Sequence, residues 1–197
     1  MTDPTEPAPP RPRHVCPVWV GHLLASPVRR LFENPTAILG PYVTPGSIVV
    51  DVGCAMGFHS LELARLVGDR GRVVSVDIQQ KMLDGLRKRA RRKGLDHRIE
   101  TRLCSENELG LDDLAGRAEL VTVFNVVHET PDRKRFLAEC AEAVRTGGRL
   151  LLSEPQHHVS ERDFDLEVAA VLDLGLSLEP APVIRRRLTR LFRRAGV

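Results

Sequence analysis

One short stretch, VVDVGCAMGFHS, combines glycines with an acidic residue in a pattern that indicates ligand binding. It is not a dinucleotide fingerprint, because reading from Gly53 places Ala55 where the second glycine belongs. It is not a phosphate-binding P-loop either, because no lysine follows Gly57. The pattern that fits is D-x-G-x-x-x-G, which begins at Asp51. A carboxylate beside the loop would repel a diphosphate and attract an amino group, so the loop predicts an amine-bearing ligand without phosphates.

A second acidic residue ends the next β-branched run. Asp77 closes the sequence RVVSVD, and a carboxylate at the end of a second strand can accept hydrogen bonds from both hydroxyls of a ribose. The loop and this acid together predict a nucleoside that carries an amino group near the loop. S-adenosylmethionine (SAM) has both parts.

Residues 44–155 resemble the class I SAM-dependent methyltransferases. The first motif of that family, [DE]-x-G-x-G-x-G, is matched at Asp51, Gly53 and Gly57, with Ala55 in place of the middle glycine. The resemblance implies SAM as cofactor and S-adenosylhomocysteine as product, and we expect Ala55 to be tolerated if its φ angle is not positive. It also implies that further cofactor contacts come from Asp77, Ile78, Met82, Ser105, Glu106 and Asn125.

The sequence indicates the methyl acceptor less directly than it indicates the cofactor. Methyl transfer depends on proximity and a dry site, and a base is needed only if the acceptor must lose a proton. Polar residues beyond the fourth and fifth predicted strands are therefore candidates for catalysis: His128, Glu129 and Glu154. The candidates for substrate binding are Cys16, Trp19, His22, Tyr42, His128 and His157. Each could instead brace a loop or pack in the core, and we expect no metal site.

The sequence alternates between strand-like and helix-like patterns, and the predicted strands and helices must position these residues. Apolar β-branched runs predict strands at 47–52, 72–77, 98–103, 119–126 and 149–155. Amphipathic stretches between them predict helices at 58–68, 79–94, 132–148 and 160–175. The alternation predicts an α/β fold with a Rossmann-like, doubly wound, seven-stranded sheet that is mostly parallel. Residues 176–179 and 187–193 are expected to add an antiparallel C-terminal hairpin, and a basic terminal helix is the alternative.

Composition divides the chain into three predicted segments. A Pro-rich tail at 1–14 is expected to be disordered, 15–45 to form a helical lid, and 46–197 to form the SAM-binding methyltransferase domain. Four cysteines lack C-x-x-C spacing, and no apolar run approaches the ~18 residues of a membrane span. The start of the chain also lacks the apolar core of a signal peptide. We therefore expect a cytoplasmic protein with no membrane association.

The favoured function is methyl transfer from SAM to a small molecule by in-line displacement, carried out by a monomer or a homodimer. The segment before the motif is short, which leaves little chain for recognising a macromolecule. One alternative is an RNA or protein methyltransferase that uses the basic stretches GLRKRARRKG and VIRRRLTRLFRRAGV. Only 4% of the residues are aromatic, which argues against base stacking and makes nucleic acid the less favoured partner. The other alternative is a non-catalytic SAM-binding protein.

Overall fold

A computed structural model of the protein describes residues 33–196, in which seven strands form one sheet. The strands are β1 (Ile48–Val52), β2 (Arg72–Asp77), β3 (Ile99–Leu103), β4 (Ala118–Phe124), β5 (Val144–Pro155), β6 (Leu176–Glu179) and β7 (Arg187–Arg194). Their order across the sheet is β3-β2-β1-β4-β5-β7-β6. Strands β1 to β5 are parallel, and β7 runs antiparallel between β5 and β6. The predicted fold class is confirmed.

Helices cover both faces of this sheet. They are α1 (Pro35–Leu39), α2 (Ser60–Val67), α3 (Gln80–Arg92), α4 (Arg133–Ala143) and α5 (Glu161–Asp173). Short 3-10 turns lie at Gly40–Tyr42, Asp96–Arg98, Asp112–Leu114 and Val127–Glu129. Side chains cap three of the helices: Asn34 accepts from the first turn of α1, Asp132 from that of α4, and Ser160 from that of α5.

Two apolar clusters divide between the two faces of the sheet. Along β1, Val49 belongs to one cluster and Val50 to the other, as the period-two alternation of a strand requires. The first cluster contains the buried side chains of α2 and α3, and the second contains those of α4 and α5. Burying both faces of a parallel sheet explains why its central strands are almost entirely aliphatic.

The region after α4 differs from the prediction. The helix was expected to run to Gly148, but it ends at Ala143 and β5 begins at Val144. Val144 pairs with Ala118, after which the register shifts so that Leu120 pairs with Arg149. The predicted C-terminal hairpin is confirmed, and the alternative terminal helix is wrong, because β7 pairs with β5 at seven positions from 187 to 193.

The order of the sheet reverses at β1, which lies between β2 and β4. The connections after β1 and β4 therefore diverge and leave a crevice beyond the carboxyl ends of the strands, the usual ligand site of an open α/β sheet. Within residues 33–196, every helix is too short or too polar to cross a lipid bilayer.

Candidate functional site

A cavity of about 410 Å³ occupies this crevice. Its walls come from the loop after β1, the ends of β2 and β3, and the segments that follow β4 and β5. Many of the predicted cofactor residues line it: Gly53, Ala55, Asp77, Ile78, Met82, Ser105, Glu106 and Asn125. The structure thus brings together side chains that are far apart in the sequence.

The glycine loop turns through three left-handed residues. Gly53, Ala55 and Gly57 have φ angles of 69°, 45° and 77°. A Cβ atom on Gly57 would lie 2.2 Å from Leu86 of α3, and one on Gly53 would lie 2.9 Å from Val126. A side chain at either position would clash with its neighbour and would also strain the backbone, so both positions require glycine. The condition under which we expect Ala55 to be tolerated is not met, because its φ is positive, so this alanine carries backbone strain that a glycine would not.

Asp51 lies beneath the loop and not on the cavity wall. Its side chain is 2% exposed and accepts hydrogen bonds from Ser60 Oγ at 2.5 Å and Thr122 Oγ1 at 2.8 Å. These bonds join β1 to β4 and to the first turn of α2. The carboxylate therefore holds the loop in place. Because it does not line the cavity, it does not contact a bound ligand directly.

Asp77 faces the cavity and organises the same loop. One carboxylate oxygen accepts the backbone N–H of Ala55 and the other that of Gln79, both at 2.8 Å. Burial raises the pKa of Asp77, although these two hydrogen bonds act in the opposite direction. Each oxygen keeps a second lone pair for a ligand hydroxyl.

Asn125 stands where β4 ends, in a left-handed conformation with φ of 56°. Its Oδ1 accepts a hydrogen bond from Arg187 of β7, and both side chains line the cavity. A non-glycine residue in this conformation at a ligand cavity is typical of a functional position.

His128 and Glu154 form a hydrogen-bonded pair beyond β4. Glu154 is fully buried; one oxygen accepts from the backbone of Val126 and Val127, at 3.1 and 2.9 Å, and the other contacts His128 Nδ1. Nε2 of His128 is 4.0 Å from Glu129, and both of those residues line the cavity. Burial opposes protonation of the imidazole, but the bond to Glu154 and nearby carboxylates outweigh it, so the pKa of His128 is raised.

The predicted substrate-binding residues are only partly brought together. His157 lines the cavity and lies 4.2 Å from the ring of His158, which in turn stacks on His128 at 5.6 Å. Tyr42, a predicted substrate-binding residue, packs beneath Arg149 of β5 and does not line the cavity. Three further predicted substrate-binding residues, Cys16, Trp19 and His22, lie outside the described residues. Gly57 and Glu154 do not line the cavity but contact residues next to it.

Three hydrogen-bonded polar side chains beside the cavity were not predicted from the sequence. His59 Nε2 lies 2.9 Å from Glu33 Oε1, and Arg187 Nη2 donates to Glu33 Oε2 at 3.4 Å. His59 also stacks on Phe124 with ring centroids 4.1 Å apart. The position of His59 directly after the glycine loop could have indicated it. Glu33 and Arg187 had no local signal, because only the fold brings positions 33 and 187 together.

The cysteines of the site are packing residues. Cys54 and Cys104 line the cavity, and burial raises the pKa of both thiols, that of Cys104 to about 11. Thiols in this state are poor nucleophiles at neutral pH. In the part of the chain that the structure describes, no three or more His, Cys, Asp or Glu side chains form a group that could hold a metal ion.

Known proteins are similar to this chain in sequence and in fold. Residues 44–196 match the family model described as a methyltransferase domain. A 37.1 kDa protein in transposon TN4556 of Streptomyces fradiae is 31% identical over 155 residues, which are 77% of this chain and 44% of that protein. The ubiquinone/menaquinone biosynthesis C-methyltransferase UbiE of Teredinibacter turnerae is 29% identical over 155 residues, 77% of this chain and 61% of that protein.

A crystal structure of a SAM-dependent methyltransferase from Aquifex aeolicus superimposes with a TM-score of 0.80 at 19% identity, over 92% of this chain and 100% of that one. A mostly parallel seven-stranded sheet with a reversed C-terminal hairpin, and a glycine loop at its switch point, defines a Rossmann-like methyltransferase fold. The chain belongs to the class I SAM-dependent methyltransferases, as its motifs predicted. It spans only 44% and 61% of the two curated relatives.

Proposed function

We propose that the chain binds SAM along the glycine loop and the ends of β2 and β3. The lining residues fit this ligand: the left-handed loop lets the backbone approach closely, and Asp77 can accept hydrogen bonds from ribose hydroxyls. Ile78 is a large apolar side chain that is 37% exposed in the cavity, where an adenine ring would cover it. Ser105 and Glu106 offer polar groups at the adenine end.

We further propose that the methyl acceptor is a small molecule bound beside Asn125 and His128. SAM supplies a methyl group on a positively charged sulfur, which a nucleophile takes by in-line displacement. With Nδ1 of His128 held by Glu154, Nε2 is left to take the proton that the acceptor loses. The hydrogen bond between the cavity-lining His128 and the buried Glu154 is the observation that carries this proposal.

The relatives support an acceptor of this kind. UbiE is named as a C-methyltransferase of ubiquinone and menaquinone biosynthesis, and methylation at carbon releases a proton that a base can accept. An acceptor with an acidic C–H, O–H or N–H bond would use His128 in the same way. Glu33, which precedes α1, contacts His59 and Arg187, and both of these line the cavity.

The basic face of α3 offers weaker support for an RNA acceptor. Lys88, Arg91 and Arg92 are exposed, whereas Arg87 and Arg89 are engaged within the protein by Thr101 and the carbonyl of Met56. Two of the six basic residues of this stretch therefore have a structural use, which weakens the case for an RNA-binding face. RNA binding that falls steeply with salt and is lost in a Lys88→Glu/Arg91→Glu variant would reverse this preference.

The first experiment is isothermal titration of the protein with SAM, S-adenosylhomocysteine and NADH. We expect micromolar binding of the first two and none of NADH. The protein would then be incubated with methyl-labelled SAM and panels of phenols, carbon acids, amines and thiols, with total RNA in parallel. Absence of binding to both SAM-type ligands would overturn the cofactor assignment. Labelling of RNA or protein alone would overturn the small-molecule acceptor.

A further inference from the structure

Arg187 of β7 lies on the cavity wall and takes no part in the transfer proposed above. Its side chain is 12% exposed, and Nη2 lies 3.4 Å from Oε2 of Glu33, whose side chain is 9% exposed. The guanidinium carbon also lies over the ring of Phe124, 5.8 Å from its centroid. Because Glu33 compensates its charge inside the protein, Arg187 is better suited to hold a neighbouring side chain than to bind an anionic ligand itself.

The neighbouring side chain is that of Asn125. Nη1 of Arg187 donates a hydrogen bond to Oδ1 of Asn125. A guanidinium carries donors and no acceptor, so only the oxygen end of the asparagine amide can face it. The orientation of an asparagine amide otherwise depends on its whole hydrogen-bond network. Here Arg187 decides it, and the NH₂ group is turned away from the arginine.

The NH₂ group of Asn125 is therefore left as a donor at the cavity. Asn125 is half-buried and lines the cavity, and its Nδ2 donates to no acceptor within residues 33–196. The backbone is held as well, since the N–H of Asn125 donates to the carbonyl of Ser153 at 2.9 Å. A charged partner at Oδ1 polarises the amide, which strengthens the N–H groups as donors.

This donor and the proposed base come from the same part of the chain. Asn125 and His128 both follow β4 and both line the cavity, so an acceptor bound there would meet both groups. Negative charge develops on the acceptor as its proton leaves, and a fixed N–H donor stabilises that charge best on oxygen. An amine acceptor would gain less, because its lone pair must stay free to take the methyl group.

We propose that Arg187 is a positioning residue that fixes the amide of Asn125, so that its NH₂ group donates to an oxygen of the methyl acceptor. The acceptor is then a compound that carries its charge on oxygen once it has lost a proton. This inference rests on the proposed function for its catalytic consequence. In that reaction the proton goes to Nε2 of His128, and the electron pair left on the acceptor forms the bond to the methyl group. The electron pair of the broken carbon–sulfur bond stays on sulfur, so one positive charge passes from sulfur to the imidazole.

Asn125→Asp is the variant that separates this role from a structural one. Aspartate keeps the size of the side chain, tolerates the left-handed backbone and pairs with Arg187, but it replaces the donor with an acceptor. A purely structural Asn125 would therefore be replaced without loss. The proposal instead requires the variant to lose its affinity for an anionic oxygen.

Two small probes of similar size measure that affinity in the full chain. They are 4-nitrophenol, which is ionised at about pH 8.5, and 4-nitroanisole, which has no ionisable oxygen. We expect the wild type to bind the first at least about 10-fold more tightly than the second, and Asn125→Asp to lose this preference. Arg187→Gln should reduce it, because a glutamine amide can bond to either end of the Asn125 amide. Arg193→Gln, at an exposed arginine of the same strand, should leave it unchanged.

The side-chain amide signal of Asn125 in ¹⁵N NMR spectra gives a direct readout. It is assigned from its loss in Asn125→Asp. We expect 4-nitrophenol to shift its protons downfield and 4-nitroanisole to leave them in place. In the ligand-free protein, Arg187→Gln should shift the signal and Arg193→Gln should not. A signal that does not respond to the phenolate, or an Arg187→Gln variant that behaves as wild type, would overturn the proposal.

Titration with SAM keeps this inference separate from the cofactor assignment. Unweakened SAM binding by Asn125→Asp, together with the lost preference for the phenolate, would support the proposal. If the wild type binds SAM and Asn125→Asp does not, the amide belongs to the cofactor site, which overturns this inference and leaves the proposed cofactor intact. If the wild type itself does not bind SAM, the proposed function fails, and the response of Asn125 to the phenolate still decides the role of its amide.

Discussion

Ala55 is the residue at which the glycine motif departs from its family pattern, and its φ of 45° makes the departure costly. An L-residue in the left-handed region costs roughly 1–2 kcal/mol, part of which a glycine loses again through the entropy of the unfolded chain. We expect Ala55→Gly to stabilise the protein by about 0.5–1 kcal/mol in urea unfolding. The matched control is Ala169→Gly on the exposed face of α5, which should destabilise it by about 1 kcal/mol. A loss of stability in Ala55→Gly would mean that the loop is not strained.

Asp77 combines two tasks, since it holds the backbone of Ala55 and faces the cavity. Replacing it with asparagine removes the charge and one acceptor oxygen while keeping the size. We expect Asp77→Asn to weaken SAM binding by about 1–3 kcal/mol, roughly 10- to 100-fold, because charge-assisted hydrogen bonds are lost. Isothermal titration measures the change, and Asp84→Asn on the exposed face of α3 is the control. Equal affinities in the two variants would remove Asp77 from the site.

The raised pKa of His128 has a direction that activity can test. A base works only when it is unprotonated, so the transfer rate should rise with pH through the pKa of His128, which lies above the ordinary value for histidine. Glu154→Gln removes the charge that favours the imidazolium, so it should move this rise to lower pH. It should also lower the maximal rate, since the ring is less well oriented.

His128→Asn should reduce the rate by about 10²- to 10⁴-fold and leave SAM affinity unchanged. Rates of methyl transfer to the acceptor found by screening give the profile, and a profile identical in Glu154→Gln would contradict the pairing.

Helices and strands could be predicted from the sequence where a local pattern alone determined where they begin and end. The β-branched runs of β1 and β2 and the serine cap of α5 each stand out against their neighbours, and the structure has them where the pattern predicts. The end of α4 was not predictable in this way. Residues 144–148 continue a helical pattern, but pairing of Val144 with Ala118 of β4 adds them to the strand. Tertiary contacts decided that boundary.

The candidate site divides along the same line. Glycines and acids at the ends of the first two strands follow from a local motif, so most of the residues on the proposed cofactor side of the cavity could be named from the sequence. Residues whose role depends on distant parts of the chain could not. Glu33 and Arg187 reach the neighbourhood of the cavity from the segment before the first helix and from the last strand. Tyr42 packs elsewhere, against Arg149.

The glycine loop is held against α3, and Gly57 is the point of contact. A methyl group there would meet Leu86 Cδ1 at 2.2 Å, and the φ of 77° would add strain. We expect Gly57→Ala to destabilise the protein by about 2 kcal/mol or more, as overpacking and strained backbone both contribute. SAM affinity should also fall, because the loop must move. Thermal unfolding and titration with SAM measure the two effects.

A double variant separates the two causes. Gly57→Ala combined with Leu86→Ala removes the clash but keeps the positive φ, so it should lose less stability than the sum of the two single changes. Strict additivity would indicate that the loop does not dock on α3 as described. Gly68→Ala provides a reference for strain alone, since that glycine has a φ of 66° and an added Cβ would meet no atom within 4 Å.

At the scale of the whole molecule, the two halves of the sheet carry the two proposed binding sites. The half made of β1, β2 and β3 carries the glycine loop and Asp77, where we propose that SAM binds, and the half made of β4, β5 and β7 carries the polar groups that we propose face the acceptor. Asp51 joins the halves through Thr122, and Arg187 extends the acceptor side to the N-terminal part of the described chain. The same buried polar groups therefore hold the fold together and shape the candidate site.

Glu167, a buried residue of α5, gives the folding stability of the protein a pH dependence that can be measured. Its pKa is raised by burial to about 7 in the folded protein, above the ordinary value of 4.5. The group therefore leaves stability intact below about pH 4.5, and stability is lost as pH rises through 7, because the folded state must then hold a buried charge. Glu167→Gln removes this loss, so it should stabilise the protein relative to wild type by about 1–3 kcal/mol at pH 8.5 and by much less at pH 5. Urea unfolding at the two pH values measures the difference. Asp165→Asn, an exposed change on the same helix, should show nearly the same small effect at both. If the advantage of Glu167→Gln is equal at pH 5 and 8.5, the buried carboxylate does not carry a proton near neutrality.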